Sequence, residues 1–405
     1  MSDPSPAVVL RLVPDPLHYG SLAVARTLGR LGVPVWVVEG EEGTAAARSR
    51  YLAGAVVLDG ATPPDGIVAM LLTLGKRLGR QGVLIPFDDV GALFVDQHAD
   101  ALADAFVFQR QPPGLVEKLL NKWEVSFLAA RHDVPTPQTL MAATDAEAEE
   151  LLARASYPLV LKGAESYLPG TSTRTELLVA EGRDEALRAY REMSRMERAN
   201  LMFQEYIPGG ADAIWMFNGY FDAKSECRFG FTGRKLRQWP PYTGATSLGV
   251  LAPNEEVVSL TCRFMGEIGY RGVLDIGYRY DRRDGRYKLL DVNPRVGSTF
   301  RLFVDPGNGM DVVRALYLDL TGEEIPAAQQ RARRKWIVEN RDLRSSLAYG
   351  RDGRLRTHEW LRSLRGIDEA AWFSLDDPRP FLAMSLHVAR NVVRRVRRKL
   401  GGRTS

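Results

Sequence analysis

Apolar residues recur with two different periods along the chain, and the changes between them predict the order of strands and helices. From residue 7 to 38 the chain reads as an apolar run, AVVLRLV, then a helical stretch, LAVARTLGRLG, then a second apolar run, PVWVV. Short apolar runs separated by a helical period are typical of a βαβ unit. The alternation continues to GVLIPF at residues 82–87, which predicts an open parallel sheet of α/β class.

The pattern changes after residue 114. A helical period over 115–131 ends in the extended stretch VPTP, and helical and apolar stretches then alternate to residue 196. A period of two from 214 to 250 indicates an antiparallel sheet, so this half is predicted to be α+β. The predicted domains are residues 1–114, residues 115–325 with a smaller lobe at about 140–208, and a C-terminal extension over 326–405.

Two acidic residues stand where the strands VLDIGYRY and YKLLDVN should bury surface. Asp275 lies between Leu274 and Ile276, and Asp291 is flanked in the same way. A buried carboxylate is costly unless a cation or a hydrogen-bond donor compensates it. In the alternative interpretation both side chains are solvated on an edge hairpin.

The turn between these strands decides which side chains meet. A two-residue turn would place Asp275 and Asp291 on opposite faces. A three-residue loop over 283–285, with a left-handed glycine, pairs Asp275 with Asn293 and puts Asp291 on the same face. The three oxygen-bearing side chains then converge, which suits Mg²⁺ carried with nucleotide phosphates.

The segment GVLDIGYRYDRRDGRYKLLDVNPR resembles the metal-binding hairpin of the ATP-grasp superfamily. More narrowly, it is similar to that of carboxylate–amine ligases of the D-aspartate ligase kind. The resemblance implies that Asp275, Asp291 and Asn293 hold Mg²⁺ and that Arg295 contacts phosphate. Most relatives have Glu where this chain has Asp291. The expected fold is an N-terminal parallel domain, a two-lobed ATP-grasp domain and a helical C-terminal extension.

The same resemblance implies nucleotide contacts upstream of the hairpin. Lys122, early in the helix before VPTP, matches a phosphate-binding lysine, with Lys118 as the alternative. Lys162 ends an apolar strand and matches a second one, before a loop at 163–174 that is expected to close over the phosphates. The hinge that binds adenine and ribose is expected at four residues: Glu205, Tyr206, Ile207 and Asp212.

Further basic and polar residues are expected to contact the reacting groups. Strict alternation places Lys235 and Arg237 on one face of a basic strand, where the resemblance implies contacts with the γ-phosphate or the acyl phosphate. The alternative is a basic edge strand that resists aggregation. Candidate substrate contacts come from two segments: His18, Tyr19 and Asp88 in the first domain, and Ser298 and Arg301 after the hairpin. Loop polarity and helix capping are an equal alternative for the first three.

Composition narrows the classes of protein. The chain is 45% hydrophobic and 26% charged, without an apolar run of membrane-spanning length, so a cytoplasmic protein is expected. Two separated cysteines and five scattered histidines favour neither a disulfide framework nor a zinc site. The net charge is +4, yet eight Lys and Arg residues and no Asp or Glu follow Pro378, so the basic character belongs to the tail.

That tail is predicted to form a cationic amphipathic helix over residues 381–400. Its apolar stripe comprises Phe381, Met384, Val388, Val392, Val396 and Leu400. Such a helix suits an anionic membrane surface or a lipid-linked substrate. It can equally dock on an acidic partner or on the body of this protein. Nucleic acid is disfavoured because no aromatic residues are interleaved with the basic ones.

Together these features predict an ATP-dependent carboxylate–amine ligase that uses ATP and Mg²⁺ and joins small-molecule substrates through an acyl phosphate. A homodimer is possible. One alternative is an ATP-grasp enzyme with a hydroxyl or thiol acceptor, or a carboxylase. Another is a membrane-tethered, non-catalytic nucleotide-binding protein.

Overall fold

The N-terminal part of the computed structural model is a parallel sheet covered by helices. The structure describes residues 3–40, 43–165, 178–196, 201–242 and 244–401. The strands are β1 (Ala7–Leu10), β2 (Val35–Glu39), β3 (Leu52–Val57), β4 (Gly82–Pro86) and β5 (Phe106–Val107), in the order β3-β2-β1-β4-β5. The helices are α1 (Gly20–Gly29), α2 (Pro64–Leu78), α3 (Asp89–Gln97) and α4 (Ala99–Leu102). This confirms the predicted βαβ architecture.

Local signals fix the ends of these elements. Pro64 opens α2, and Gly79 closes it with a left-handed φ of 71°. Asp88 caps α3 by accepting a hydrogen bond of 2.6 Å from the Gly91 N–H. Alternate residues of β1 are buried on opposite faces of the sheet, Val9 beneath α1 and Val8 beneath α2. The carboxyl ends of β1 and β4 therefore point toward the rest of the protein.

A smaller antiparallel sheet follows two linker helices. The linker comprises α5 (Leu115–Leu120) and α6 (Lys122–Arg131); Asn121 between them caps α6, so the single predicted helix is two. The sheet has the order β6 (Thr139–Met141), β9 (Leu201–Glu205), β7 (Leu159–Gly163) and β8 (Leu178–Ala180), covered by α7 (Asp145–Arg154) and α8 (Arg183–Met196). Residues 166–177, most of the predicted phosphate loop, lie outside the described residues.

The largest sheet carries the metal-hairpin candidate. Its strands are β10 (Ile214–Phe221), β11 (Cys227–Trp239), β12 (Ala245–Leu251), β13 (Gly272–Asp281), β14 (Arg286–Asn293), β15 (Lys335–Ile337) and β16 (Glu369–Ala370). The order is β14-β13-β10-β11-β12-β15-β16. Helices α9 (Glu255–Glu267) and α10 (Val312–Leu320) pack against this sheet. Because β15 hydrogen-bonds to β12, the C-terminal extension continues the sheet. The domain boundaries stay a prediction.

The β13–β14 hairpin reaches the predicted register by an unexpected route. Asp275 pairs with Asn293 and Gly277 with Asp291, as the three-residue loop required. The loop, however, has four residues, 282–285, because Asp281 pairs with Arg286. A bulge at Leu290 shifts the register by one residue. Gly285 is left-handed, with φ of 70°.

The C-terminal segment has three helices: α11 (Glu339–Arg351), α12 (Thr357–Ser363) and α13 (Arg379–Gly401). Phe381, Met384 and Val388 of the predicted stripe pack on the body of the protein. Val392 is exposed, and the Val396 and Leu400 side chains lie outside the described part. In the described residues, every helix is too short or too polar to cross a membrane.

Candidate active site

Asp275, Asp291 and Asn293 converge on one face of the β13–β14 hairpin. The Asn293 Nδ2 donates to the Asp275 backbone carbonyl at 3.1 Å and to the Asp291 carboxylate at 3.3 Å. Burial, opposed by Arg295 and reinforced by Asp291, raises the pKa of Asp275 to about 6. Two half-buried carboxylates therefore share a face, an arrangement that a cation would stabilise.

Glycines allow the chain to approach both carboxylates. A methyl group at Gly277 would overlap the Asp291 carboxylate, and one at Gly297 would overlap that of Asp275. Neither glycine has a positive φ, so the requirement is space and not backbone conformation. Because Gly297 follows Asn-Pro-Arg, the chain leaving the hairpin folds back over Asp275.

Three lysines face these carboxylates. Burial lowers the pKa of Lys162 to about 7; Lys122 lowers it further and Asp291 opposes the shift. Burial also lowers the pKa values of Lys122 and Lys235, and Asp291 opposes the shift in both cases. Lys162 Nζ donates to Gln204 Oε1 at 2.8 Å, and Lys235 Nζ donates to the Gly244 carbonyl at 3.1 Å. Both of these ammonium groups therefore bond to neutral oxygens within the described part of the chain, which leaves their charge for phosphates.

Arg295 connects the hairpin to the first domain. Its Nε donates to Asp89 Oδ1 at 2.6 Å, and its Nη2 donates to Asn293 Oδ1 at 3.2 Å. Burial acts to lower its pKa, but the charges of Asp89 and Asp275 outweigh burial and raise it. A cavity of about 130 Å³ lies between Asp89, Lys122, Asp291 and Asn293. Asp89 was not predicted as a site residue, although its position at the start of α3, just beyond the carboxyl end of the parallel strand β4, could have indicated it.

The expected hinge lies beside the smaller sheet. The Glu205 and Tyr206 N–H groups donate to the Gln138 and Pro158 carbonyls, so these two donors are already used within the protein. The Glu205 carboxylate pairs with Arg283, and Ile207 is buried. Asp212 lies in a short 3₁₀ turn, Ala211–Ala213.

Arg279, which sequence reasoning missed, joins the hinge to the metal face. Its guanidinium carbon lies 5.6 Å from the centre of the Tyr206 ring, and its Nη2 donates to the Gly209 carbonyl at 2.5 Å. Burial lowers its pKa, while Tyr206 and Asp212 oppose that shift. Alternate residues of a strand point to the same face, so the positions of Asp275, Gly277 and Arg279 in the sequence could have identified Arg279 as part of this face.

The predicted substrate residues of the first domain adjoin the hairpin exit. His18 Nε2 lies 3.4 Å from the Ser298 Oγ. Burial lowers the pKa of His18 well below its usual value, and three arginine charges add to that effect. Tyr19 is buried, with 1% of its surface exposed. Asp88 instead accepts hydrogen bonds from the Leu12 and Val13 N–H groups and caps α3. Its role therefore agrees with the helix-capping alternative and not with a substrate contact.

Arg237 does not reach the site. A bulge at Leu236 puts Arg237 on the opposite face of β11 from Lys235, where it binds Asp342 at 2.8 and 2.9 Å. Strict alternation was therefore wrong here, and a phosphate contact by Arg237 is not supported.

Arg301 is also used elsewhere. It binds both oxygens of Glu369 at 2.8 Å and Asp311 Oδ2 at 2.6 Å. Its donors are occupied by Asp311 at the start of α10 and by Glu369 of the C-terminal segment, so the expected contact with a substrate carboxylate is corrected.

The residues at the hairpin fit a magnesium ion bound together with a nucleotide. The buried Asn218 pairs with Asp275 across β10 and β13, and its Oδ1 has no hydrogen-bond partner among the described residues. Metal-bound water could donate to this oxygen. No cluster of three His, Cys, Asp or Glu side chains occurs in the part of the chain that the structure describes. Mg²⁺ typically takes only one or two carboxylates and fills the remaining positions with water and phosphate oxygens, so this donor set fits it.

Comparison with solved structures decides the fold. The chain superposes on an L-amino acid ligase from Bacillus licheniformis with a TM-score of 0.61 and 15% identity, over 83% of this chain and 79% of that one. An N5-carboxyaminoimidazole ribonucleotide synthetase from Thermus thermophilus gives 0.60 and 16%, with 81% of both chains covered. Both neighbours are ATP-grasp enzymes. This chain has the ATP-grasp fold.

Two further comparisons bear on this chain. The biotin carboxylase domain of the Hydrogenobacter thermophilus 2-oxoglutarate carboxylase, solved with MgADP and bicarbonate, gives a TM-score of 0.60 at 17% identity, over 81% and 73% of the chains. The D-aspartate ligase of Enterococcus faecium (strain Aus0004) is 27% identical over 289 residues, 66% of this chain and 67% of that one. No family model matches the sequence. The chain is therefore similar in sequence to a ligase and in fold to ATP-grasp enzymes.

Proposed function

We propose that this protein is an ATP-dependent carboxylate–amine ligase. The observation that carries the proposal is the buried face where Asp275, Asp291 and Asn293 converge opposite Lys122, Lys162 and Lys235. Mg²⁺ bound there would neutralise charge on the nucleotide phosphates. The similarity to D-aspartate ligase supports an acidic amino acid as the first carboxylate substrate to test.

The chemistry needs positioning and charge neutralisation, not a protein nucleophile. A substrate carboxylate oxygen attacks the γ-phosphorus of ATP; the bond to the bridging oxygen breaks and ADP leaves with its electron pair. The amine nitrogen then attacks the acyl carbon, phosphate leaves and the nitrogen loses a proton. Lys162 and Lys235 would hold the transferred phosphoryl group by charge, and Arg295 would orient it with its guanidinium.

The nucleotide would lie between the two lobes. Tyr206, Ile207 and Asp212 are proposed to contact adenine and ribose at the edge of the smaller sheet, with Glu205 held beside them by Arg283. Lys122 and Lys162 would lie along the phosphates. The N–H of Lys122 donates to the Ala164 carbonyl at 3.0 Å, so the linker helix and the smaller sheet are fixed to each other at this point.

Release of ADP by the purified protein tests this proposal. The account predicts release that requires Mg²⁺, a carboxylate substrate and an amine together, and that is lost in Asp291→Ala. Asp284→Ala, at the exposed tip of the same hairpin, is the matched control. Release without any acceptor that is unchanged in Asp291→Ala would contradict the proposal. Turnover with bicarbonate alone would favour a carboxylase, and nucleotide binding without turnover would favour a non-catalytic protein.

We propose separately that α13 binds an anionic lipid surface. While Met384 packs inward, a second line of apolar side chains, Leu382, Leu386 and Val393, is 49–63% exposed. All charged residues from Pro378 onward are basic. Leu386→Ser combined with Val393→Ser should reduce co-sedimentation with vesicles containing phosphatidylserine, and neither protein should bind neutral vesicles. Equal sedimentation of both proteins would contradict it. The homodimer stays a prediction.

A further inference from the structure

Arg341, on the first turn of α11, carries a charge that the protein compensates only weakly. Its Nη2 lies 4.0 Å from Asp15 Oδ2, and 28% of its side chain is exposed. Arg301 and Arg237, by contrast, bind carboxylates at 2.6–2.9 Å. An arginine held for structural reasons usually has such short, bidentate partners, and Arg341 does not.

The ring of Tyr19 holds the guanidinium of Arg341 in place. The guanidinium carbon lies 5.1 Å from the ring centre, and Nη1 donates to the Tyr19 hydroxyl at 3.4 Å. Tyr19 in turn packs against Trp336 and Trp372, with ring centres 5.7 and 6.2 Å away. Stacking on a rigid aromatic group orients the planar donors while leaving their outer edge for a ligand.

A short path connects Arg341 to the proposed metal face. His18, next to Tyr19, bonds the Ser298 hydroxyl, and Ser298 follows Gly297, which packs against the Asp275 carboxylate. Arg341 and Asp275 both act on the pKa of Tyr19, with opposite signs. Tyr19 and His18 therefore lie between Arg341 and the segment that covers Asp275.

The positive potential at this position is not cancelled by its surroundings. Arg11 pairs with Glu39, and Arg295 pairs with Asp89. His18, between them, is held neutral because burial and the three arginines lower its pKa. Of the three arginines near His18, Arg341 has the longest ion pair. Its partner, Asp15, also accepts a hydrogen bond of 3.0 Å from the Leu17 N–H.

We propose that Arg341, held in place by the buried Tyr19 and assisted by His18, binds a second anionic group on the substrate whose carboxylate is activated at Asp275 and Asp291. The inference rests on the proposed ligase function and adds a specificity-determining residue from the C-terminal segment. Arg341 takes the place that the sequence had assigned to Arg301. A dicarboxylic acid would then be preferred over a monocarboxylic acid of similar size.

Hydroxylamine tests this without knowledge of the natural amine, because it converts an acyl phosphate to a hydroxamate and releases phosphate. Hydroxamate formation is measured with D- and L-aspartate and with D- and L-alanine, for the wild type and for Arg341→Ala. The inference predicts that the KM for aspartate rises about tenfold or more in the variant. The KM for alanine and the kcat with aspartate should change little.

Two controls separate this role from a structural one. Arg351→Ala removes an exposed arginine from the last turn of the same helix and should change neither KM. Arg341→Lys keeps the charge and should recover part of the aspartate preference, whereas Tm measured by thermal unfolding shows whether each variant folds.

The outcomes distinguish the two proposals. In the first outcome the wild type forms hydroxamate, but Arg341→Ala changes the KM values for aspartate and alanine equally or leaves both unchanged. The proposed subsite is then wrong and the ligase function stands. If the wild type forms no hydroxamate with any acid of the panel, the ligase function fails and the subsite fails with it.

Discussion

Two regions of this protein bury charged side chains in opposite ways. Around the C-terminal segment, Arg237 of β11 and Asp342 form a bidentate pair that the Trp360 indole also joins, and Arg301 binds Glu369 and Asp311. At the β13–β14 hairpin, two carboxylates share a face with lysines whose described bonds, for Lys162 and Lys235, go to neutral oxygens. The first region satisfies its charges internally, whereas the second leaves them for a ligand.

The consequences for protonation follow from this difference. The hairpin region holds the groups whose pKa values burial moves toward neutrality, Lys162 to about 7 and Asp275 to about 6. Perturbed values of this kind concentrate at functional sites. Buried charge alone therefore does not identify a site. The distinguishing property is the presence of Lys162 and Lys235, whose described hydrogen bonds go to neutral oxygens.

The largest effect is expected for Asp275→Asn, which removes charge from the hairpin region. ADP release should fall about 10³-fold, because stabilisation of the phosphoryl group by a bound cation is lost. The free energy of unfolding should be unchanged or rise slightly, since the variant also removes the repulsion between two buried carboxylates. Steady-state kinetics and urea denaturation measure the two effects. A large decrease in the free energy of unfolding would show that Asp275 has a structural role, as the carboxylates paired with Arg237 and Arg301 do.

Arg301→Met tests the other side of the comparison. Breaking a buried ion pair leaves Asp311 and Glu369 without their partner and should cost about 3–5 kcal/mol of unfolding free energy. Folded protein should keep its KM for nucleotide. Denaturation by urea and nucleotide titration provide the readouts. If Arg301→Met left the free energy of unfolding unchanged and abolished activity, Arg301 would have to be assigned to the active site.

A third test uses the pKa of Lys162. Below pH 7 its ammonium group is charged and can pair with phosphate; above pH 7 it must take up a proton before pairing. The affinity for ADP should therefore fall about tenfold between pH 6 and pH 8. Lys162→Arg, which stays charged, should show a shallower profile in calorimetry. A profile equally steep in both proteins would exclude Lys162 as the cause.

The same shift affects stability with the opposite sign. Between pH 7 and the ordinary lysine value of 10.5, the unfolded chain binds a proton that the folded protein does not. The free energy of unfolding should thus rise with pH across this window relative to Lys162→Met. Urea midpoints at pH 7 and pH 9 measure the difference. A smaller rise in the wild type than in the variant would contradict the predicted shift.

The smallest effect is expected for Asp291→Glu. The longer side chain keeps the ligand chemistry, so ADP release should change by only a few fold. Because the Asp291 carboxylate already fills the space beside Gly277, the added methylene should shift the metal position slightly. Titration of Mg²⁺ in the ADP-release assay measures the change. A loss as large as that in Asp275→Asn would show that the face is rigid.

The sequence predicted the parallel sheet, the hairpin and the pairing of Asp275 with Asn293 because these depend on local periodicity. Bulges broke that periodicity twice. At Leu290 a bulge compensated for the wrong loop length, and at Leu236 it moved Arg237 away from Lys235. An extra residue in a strand leaves no clear signal in the pattern of polar and apolar positions.

The sequence also did not indicate which residues far apart along the chain would contact each other. Arg301 lies directly after the hairpin, but Glu369, which fixes its orientation, is 68 residues away. Arg341 lies in a segment without a recognisable motif, and only the folded chain brings it onto Tyr19. Proximity in sequence to the hairpin suggested both Ser298 and Arg301 as substrate contacts. Ser298 lies beside His18, whereas Arg301 is bound by Glu369 and Asp311.

The most direct test of the hairpin site is binding of Mn²⁺, as a paramagnetic substitute for Mg²⁺, measured by electron paramagnetic resonance in the presence of ADP. The account predicts that the wild-type protein removes free Mn²⁺ from solution with ADP present, and that Asp275→Asn and Asp291→Asn each greatly weaken this binding, whereas Asp284→Asn does not. Equal Mn²⁺ binding by all four proteins would contradict it.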